Sequence, residues 1–328
     1  MRRGWLAAFA SGVLVVLLCG TEMAAAQAPL PVRIGRIPGL VTLPVDHAAQ
    51  AGYFKAEGLD VTFVHFGSGA DGARGLVAGA ADIGTMDLAT VLQFIERGQR
   101  FRVLANNRRG PTIALLLRSD LNIRKGDVAA LKGLRIGVSS AGSFTDQYLR
   151  LLLTEAGLSP DRDVTILPIG NFTNQLAALR NRQIDAQMSW APGITILEQA
   201  NAAQLFLDPR VGEGPQRLTK MVGLVVAGPE KYIAENREVV RRVTRALVKA
   251  SRDLQNTATF VEAAKAQNPN LDPGVVRAMA PAEAVGYSPE LTAEHVAAVN
   301  EAYRAAGLLK TEIPYDAVID RELAGLWK

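Results

Sequence analysis

Three observations predict an α/β protein of two lobes, each a mostly parallel sheet flanked by helices, the lobes joined by two crossing strands. Short apolar, β-branched runs alternate with helical patterns through most of the chain. That alternation repeats: Arg33-Ile34-Gly35 recurs as Arg135-Ile136-Gly137 at an offset of 102, and "DVTFVHFG" (60–67) as "DVTILPIG" (163–170) at 103. After "GLVVAGPE" (223–230) the chain reads as helix to its end.

The elements follow in order. "VRIGRI" is the first strand, "LPVDHAAQAGYFKAEG" a helical pattern, "VTFVHF" the second strand, and Asp82 opens the third in "ADIGTM". "FRVLA" is a fourth strand, and "TIALLLRSD" carries the chain across. The second copy runs through "LRIGV", helix "FTDQYLRLLLTEAG", "VTILPI", helix "TNQLAALRNRQ" and "IDAQMSW", where Asp185 stands 103 residues after Asp82. "KMVGLVVAG" crosses back. The helical tail has no strand partner in the second half, so it is expected to pack on the first lobe. Lobe 1 is expected at about 30–117 and 222–328, lobe 2 at 118–221. Two crossings make a hinge that can close.

Residues 1–26 have a basic start at Arg2 and Arg3, an apolar run from Leu6 to Gly20 and an Ala24-x-Ala26 site, the pattern of a cleaved signal peptide. Cys19 is the one cysteine, so the exported chain would hold none and its stability would rest on a conventional core. Cleavage lowers the net charge from +4 to +3. The one basic stripe, Arg241, Arg245, Lys249 and Arg252, reads as a solvated helix face rather than a nucleic-acid patch.

Ligands of open α/β sheets bind beyond the carboxyl ends of the strands. The duplication places there Arg36 to Gly39, the Ser68 turn and Thr85-Met86-Asp87 in lobe 1, and Ser139 to Ser143, Asn171 and Ser189-Trp190 in lobe 2. Most of these turns are small or hydroxylated and open a helix, so free N–H groups and a helix dipole point into the cleft. The expected ligand is therefore a small organic anion anchored by Arg36, Ser68 and Ser140. An unpaired Asp87 would repel it, so Asp87 is expected to pair with Arg36, bind a ligand donor or face solvent.

"GYFKAEGLDVTFV" (52–64), "AADIGTMD" (80–87), "LKGLRIGVSSAGS" (131–143) and "RNRQIDAQMSWAP" (180–192) resemble the nitrate/sulfonate/thiamine-precursor (SsuA/ThiY-like) class of ABC-transporter periplasmic substrate-binding proteins. The resemblance covers about residues 30–230 and, loosely, the tail. It implies a type II periplasmic binding fold that clamps one small molecule between lobes and delivers it to a membrane permease and its ATPase. It maps ligand contacts onto Arg36, Pro38, Ser68, Thr85, Met86, Asp87, Ser139, Ser140, Ser143, Asn171 and Trp190. Many relatives carry an acid before the proline of "WAP"; here it is Ala191, which weakens an amine-anchoring pocket. Relatives that make a pyrimidine use a Cys-rich segment that the exported chain lacks. The expectation is a periplasmic monomer without catalysis, metal or cofactor, and the alternative ligand is a pyrimidine or thiamine precursor.

Rival readings are weaker. "GVSSA" approaches a nucleophile elbow, which would make Ser139 or Ser140 the nucleophile of a secreted hydrolase. The only downstream histidine, His295, lies in a helix where a solvent-facing role is expected. His47 and His65 stand apart, with no metal-ligand spacing. An effector-sensing regulator would need a helix-turn-helix segment, which is missing. Asp82 and Asp185 are expected to fix turns, and Arg108 and Arg109 to be solvated hinge residues.

Overall fold

The computed structural model describes residues 28–37, 39–67, 69–170 and 172–328; the segment 1–26 and the candidate positions Pro38, Ser68 and Asn171 lie outside the described residues. The strands are β1 Leu30–Arg36, β2 Leu59–His65, β3 Ile83–Asp87, β4 Phe101–Asn106, β5 Ile113–Arg118, β6 Arg135–Val138, β7 Thr165–Pro168, β8 Ala186–Trp190, β9 Ala203–Leu207 and β10 Leu224–Pro229. They form two five-stranded sheets, ordered β2-β1-β3-β10-β4 and β7-β6-β8-β5-β9.

The two orders are one topology written twice. β1 runs parallel to β2 and β3, and β6 runs parallel to β7 and β8. The fourth place in each sheet goes to a strand arriving from the other half. β10 lies antiparallel between β3 and β4, and β5 antiparallel between β8 and β9. β5 pairs wholly within the second sheet, so the first crossing is the segment 107–112. β3 and β10 are buried almost throughout, as expected of strands covered by helices on both faces, whereas edge strand β2 alternates.

The repeated Arg and Asp form the same clamp in both sheets. The Arg33 N–H donates to Asp82 Oδ2 at 2.7 Å and its guanidinium to Asp82 Oδ1 at 2.6 Å. The Arg135 N–H donates to Asp185 Oδ2 at 3.0 Å, and its Nε to the same oxygen at 2.9 Å. Each guanidinium also reaches a left-handed turn residue, Gly79 O or Arg182 O, 103 positions apart. Asp82 and Asp185 therefore fix turns and strand starts at the end of each sheet opposite the cleft.

Helix Phe144–Glu155 shows how local sequence sets an element. Ser143 caps it by accepting from the Asp146 N–H, Asp146 sits favourably in the first turn, and Gly157 (φ 77°) follows its end. Phe144, Tyr148, Leu149, Leu151, Leu152 and Leu153 are its buried face. At ~1.5–3 kcal/mol for each large apolar side chain, that face outweighs the helix's intrinsic propensity.

The tail does more than cover the first sheet. Helix Arg237–Asp253 packs on helix Leu43–Gln50 and β4, while Pro273–Ala284 also touches Gly193–Gln199 of the second half. The basic stripe is ion-paired rather than merely solvated: Arg241 meets Glu322, Arg245 meets Glu57, and Lys249 meets Asp253. The Trp327 indole N–H donates to Leu104 O at 2.7 Å, seating the chain end on β4. Among the described residues no helix is long and apolar enough to cross a membrane.

The clamp makes a measurable prediction. Asp185 also accepts from Arg118 at 3.0 Å, and its hydrogen bonds to Arg135 hold its carboxyl below the usual carboxylate range. A depressed carboxyl stabilises the fold above its unfolded pKa and loses that contribution as pH falls through the folded value. Asp185→Ala is expected to cost about 2 kcal/mol in urea denaturation at pH 7. The gap to the parent should narrow below about pH 4.

Candidate functional site

The turn after β1 approaches the end of β8, and the segment before β10 approaches the helix after β6. At Gly39, just after β1, an added Cβ would lie 3.8 Å from the Trp190 indole nitrogen at the end of β8. Ala191 joins the apolar cluster of Leu40, Leu43 and Tyr287. A Cβ at Gly223 would lie 3.2 Å from the Phe144 ring. Asp87 and Trp190 are counterparts under the 103-residue repeat, each the last residue of its strand.

On the first wall, Arg36 does not pair with Asp87. It forms an ion pair with Asp46 in the first turn of helix Leu43–Gln50, lies 5.1 Å from the Phe63 ring centre, and directs Nε toward His65 Nδ1 at 3.4 Å. Asp46 is buried and also accepts from Thr42 and Gln267. The helix that follows β1 carries its acid back over the Arg36 strand end, which is why this pairing wins.

Asp87 sits under the turn that opens helix Gly69–Val77. A Cβ on Gly69 would come within 2.6 Å of Asp87 Oδ2, so only glycine lets the turn close over the carboxyl. Asp87 is 4% exposed and its Oδ2 has no hydrogen-bond partner among the described residues. Burial pushes its pKa up to about 7. Thr85 and Met86 are fully buried, Met86 in the core, so Asp87 is the member of that trio at the strand end. Tyr303, buried on helix Ala293–Ala305, has an unpartnered hydroxyl whose pKa is raised by burial and then by the charge of Asp87.

On the second wall the serines turn inward. Ser139 Oγ donates to Ser143 Oγ at 2.9 Å and meets Thr145 Oγ1 at 2.9 Å, while Ser143 Oγ and Thr145 Oγ1 lie 2.8 Å apart. The Ser139 N–H donates to Thr145 Oγ1 at 3.0 Å and the Gly142 N–H to Asp146 Oδ2 at 2.7 Å. What this turn still offers a ligand is half-buried Ser140 and the N–H groups of Phe144 and Thr145, which lack intrahelical acceptors, the Asp146 N–H being capped by Ser143. Trp190 is half-buried at the rim of the main core.

Two expectations need correction. His295 is not solvent-facing: its Nδ1 accepts the Thr292 N–H at 3.2 Å in a reciprocal capping box, and burial lowers its pKa. Arg108 is not a solvated hinge residue but is 5% exposed and ion-paired to Glu283 at 2.9 Å. Sequence reasoning missed Asp46, Gln267 and Tyr287. An acid in the first turn after a strand ending in Arg could have flagged Asp46. Gln267 and Tyr287 reach the site from the tail, where no local pattern marks them.

A family model described as NMT1/THI5 like matches residues 42–257, more than half of the chain. The chain belongs to the NMT1/THI5-like family. A search of curated proteins finds no match. Among solved structures, a protein of Bordetella bronchiseptica RB50 is 27% identical with a TM-score of 0.74, over 91% of this chain and 94% of that one. The alkanesulfonate-binding protein SsuA from Xanthomonas axonopodis pv. citri, bound to MOPS, is 23% identical with a TM-score of 0.71, over 88% and 98%. The periplasmic nitrate-binding protein NrtA from Synechocystis PCC 6803 is 13% identical with a TM-score of 0.71, over 90% and 87%. Together with the duplicated sheets, these likenesses give this NMT1/THI5-like chain the periplasmic binding protein fold.

Asp87 supplies a test of the site's energetics. A carboxyl raised to about 7 favours its protonated form in the fold, so the parent loses stability as pH rises from the unfolded value to about 7. Asp87→Asn cannot titrate. It is expected to match the parent near pH 4 and exceed it by on the order of 2–4 kcal/mol above pH 7.5, read from thermal or urea unfolding.

Proposed function

We propose that this protein is the exported receptor of an ABC importer, holding one small molecule between its lobes in the periplasm and passing it to a permease and ATPase. The observation that supports this reading is the duplicated topology, with the turn after β1 approaching Trp190, the counterpart of Asp87, between halves linked by two crossing segments. No chemistry is asked of it. The Ser139 hydroxyl is tied to two other hydroxyls rather than to a base, and His295 is committed to its own helix.

The ligand is an organic anion such as a sulfonate or carboxylate, or nitrate. Support comes from Arg36 at the end of β1, from two helices opening toward the cleft, and from the sulfonate- and nitrate-binding proteins that share the fold. Asp87 does not bar an anion. In its neutral form the carboxyl donates a hydrogen bond, and burial keeps much of it neutral near pH 7. A second reading, a pyrimidine or thiamine precursor, is favoured by the same two residues: ionised Asp87 would accept from a ring amine while Trp190 stacks on the ring.

Calorimetry on a panel of alkanesulfonates, carboxylates, nitrate and aminopyrimidines separates the two. Anion affinity is expected to fall as pH rises through about 7 and Asp87 ionises. Arg36→Ala should weaken it ten- to a hundredfold, the loss of a charge-assisted hydrogen bond of roughly 1.5–3 kcal/mol. Saturating ligand should shrink the radius of gyration in small-angle scattering. If affinity instead rises with pH, and Trp190→Ala abolishes binding while Arg36→Ala does not, the ring reading replaces the anion.

A further inference from the structure

A buried chain of charges joins the two halves away from the proposed ligand contacts. From the second half, Asp208 and Arg210 follow β9, and Arg210 Nη2 donates to Asp208 Oδ2 at 2.8 Å. Arg210 Nη1 then crosses to Glu283 Oε1 at 2.9 Å, on the helix Pro273–Ala284 of the tail. The other carboxylate oxygen of Glu283 pairs with Arg108 Nη1 at 2.9 Å, and the same nitrogen donates to Glu283 O at 2.7 Å. Arg108 stands at the start of the first crossing, directly after β4 and Asn107. Its guanidinium lies 4.7 Å from the Tyr287 ring centre, and the Tyr287 hydroxyl donates to Leu40 O at 2.8 Å, in the turn that faces Trp190.

Each end of this chain is anchored to one body. Arg108 is tied to the tail by the Arg109 N–H to Gly286 O bond at 2.8 Å, and Gly286 makes room for it, since a Cβ there would meet the guanidinium at 2.2 Å. Asp208 and Arg210 hold each other bidentately. The Arg210–Glu283 contact is an ion pair that spans the two bodies beside their apolar contacts. The side chains of Glu283 and Asp208 are each 7% exposed and that of Arg210 15%, so this is a pair shielded from water.

We infer that Arg210–Glu283 is the latch of the closed arrangement: two positioning residues that set ligand affinity without touching ligand. The inference rests on the receptor reading only for its affinity consequence. Opening the lobes would separate Arg210 from Glu283, while Arg108–Glu283 and Arg210–Asp208 stay within their own bodies. The latch therefore raises the closed population, and apparent affinity scales with the fraction of protein that is competent to bind.

The test needs no ligand. In a Cys19→Ser background, spin labels at Val77→Cys and Ala129→Cys, exposed on the first and second halves, report the distance distribution between lobes. Glu283→Gln keeps an acceptor but removes the charge and is expected to raise the open-to-closed ratio about three- to tenfold. Arg210→Gln, which leaves the Arg108–Glu283 pair whole, should do the same if Glu283→Gln fails to fold. Small-angle scattering of the same ligand-free variants should show a larger radius of gyration. A distance distribution and scattering radius unchanged in a folded variant would overturn the latch. Any panel compound that binds the parent should bind the variants more weakly in proportion to the fall in the closed fraction, and unchanged affinity alongside a lowered closed fraction would also overturn it. Should no panel compound bind, the receptor reading alone is challenged, because the distance measurement stands by itself.

Discussion

Both sheets hang on one interaction, an aspartate at the start of the third strand gripping the main chain and guanidinium of the arginine that enters the first. Asp82 with Arg33, and Asp185 with Arg135, tie two parallel strands that no hairpin could join. Parallel neighbours separated by a crossover have no local turn to set their register. The carboxylate supplies that register by accepting from a main-chain N–H as well as a side chain. With the strands pinned at one end, their carboxyl ends arrive level at the other, which is where the cleft is built.

Burial works against ionisation at a single strand-end residue. Asp87 is buried beneath a glycine turn with an oxygen left unmatched, and an apolar or amide side chain would suit that place better. Its counterpart Trp190 supplies a large flat surface from the other sheet. An unsatisfied carboxyl and a half-buried aromatic ring at equivalent strand ends are poor packing. Strain of this kind persists where the surroundings over-determine it.

The tail, which reads as a simple helical appendage, acts as the connector of the molecule. Its helices touch both halves, its Gln267 and Tyr287 support the turn after β1, and its Glu283 takes one arginine from the first crossing segment and one from the second half. The Ser139–Ser143 turn is similar in spirit: three hydroxyls that invite a catalytic or ligand role are largely spent on shaping the turn, together with the N–H groups of Ser139 and Gly142.

Much was legible in the sequence because it depends on near neighbours or on repetition. Strand and helix follow from periodicity, the capped start of Phe144–Glu155 from four consecutive residue types, and the two sheets from landmarks recurring at offsets of 102 and 103. The Asp82 and Asp185 turns were readable for the same reason. What the sequence left open is who pairs with whom across distance. Arg36 had two acids to choose from, and the packing of helix Leu43–Gln50 against β1 delivers Asp46 and leaves Asp87 Oδ2 without a partner among the described residues. The basic stripe reads as solvated from the sequence because its partners Glu57 and Glu322 lie far along the chain. Arg108 reads as a solvated residue because Glu283 stands 175 residues away. Local preference is carried by each short segment, whereas the partner of a buried charge is set by whichever element the fold carries past it, and that was decided only in three dimensions.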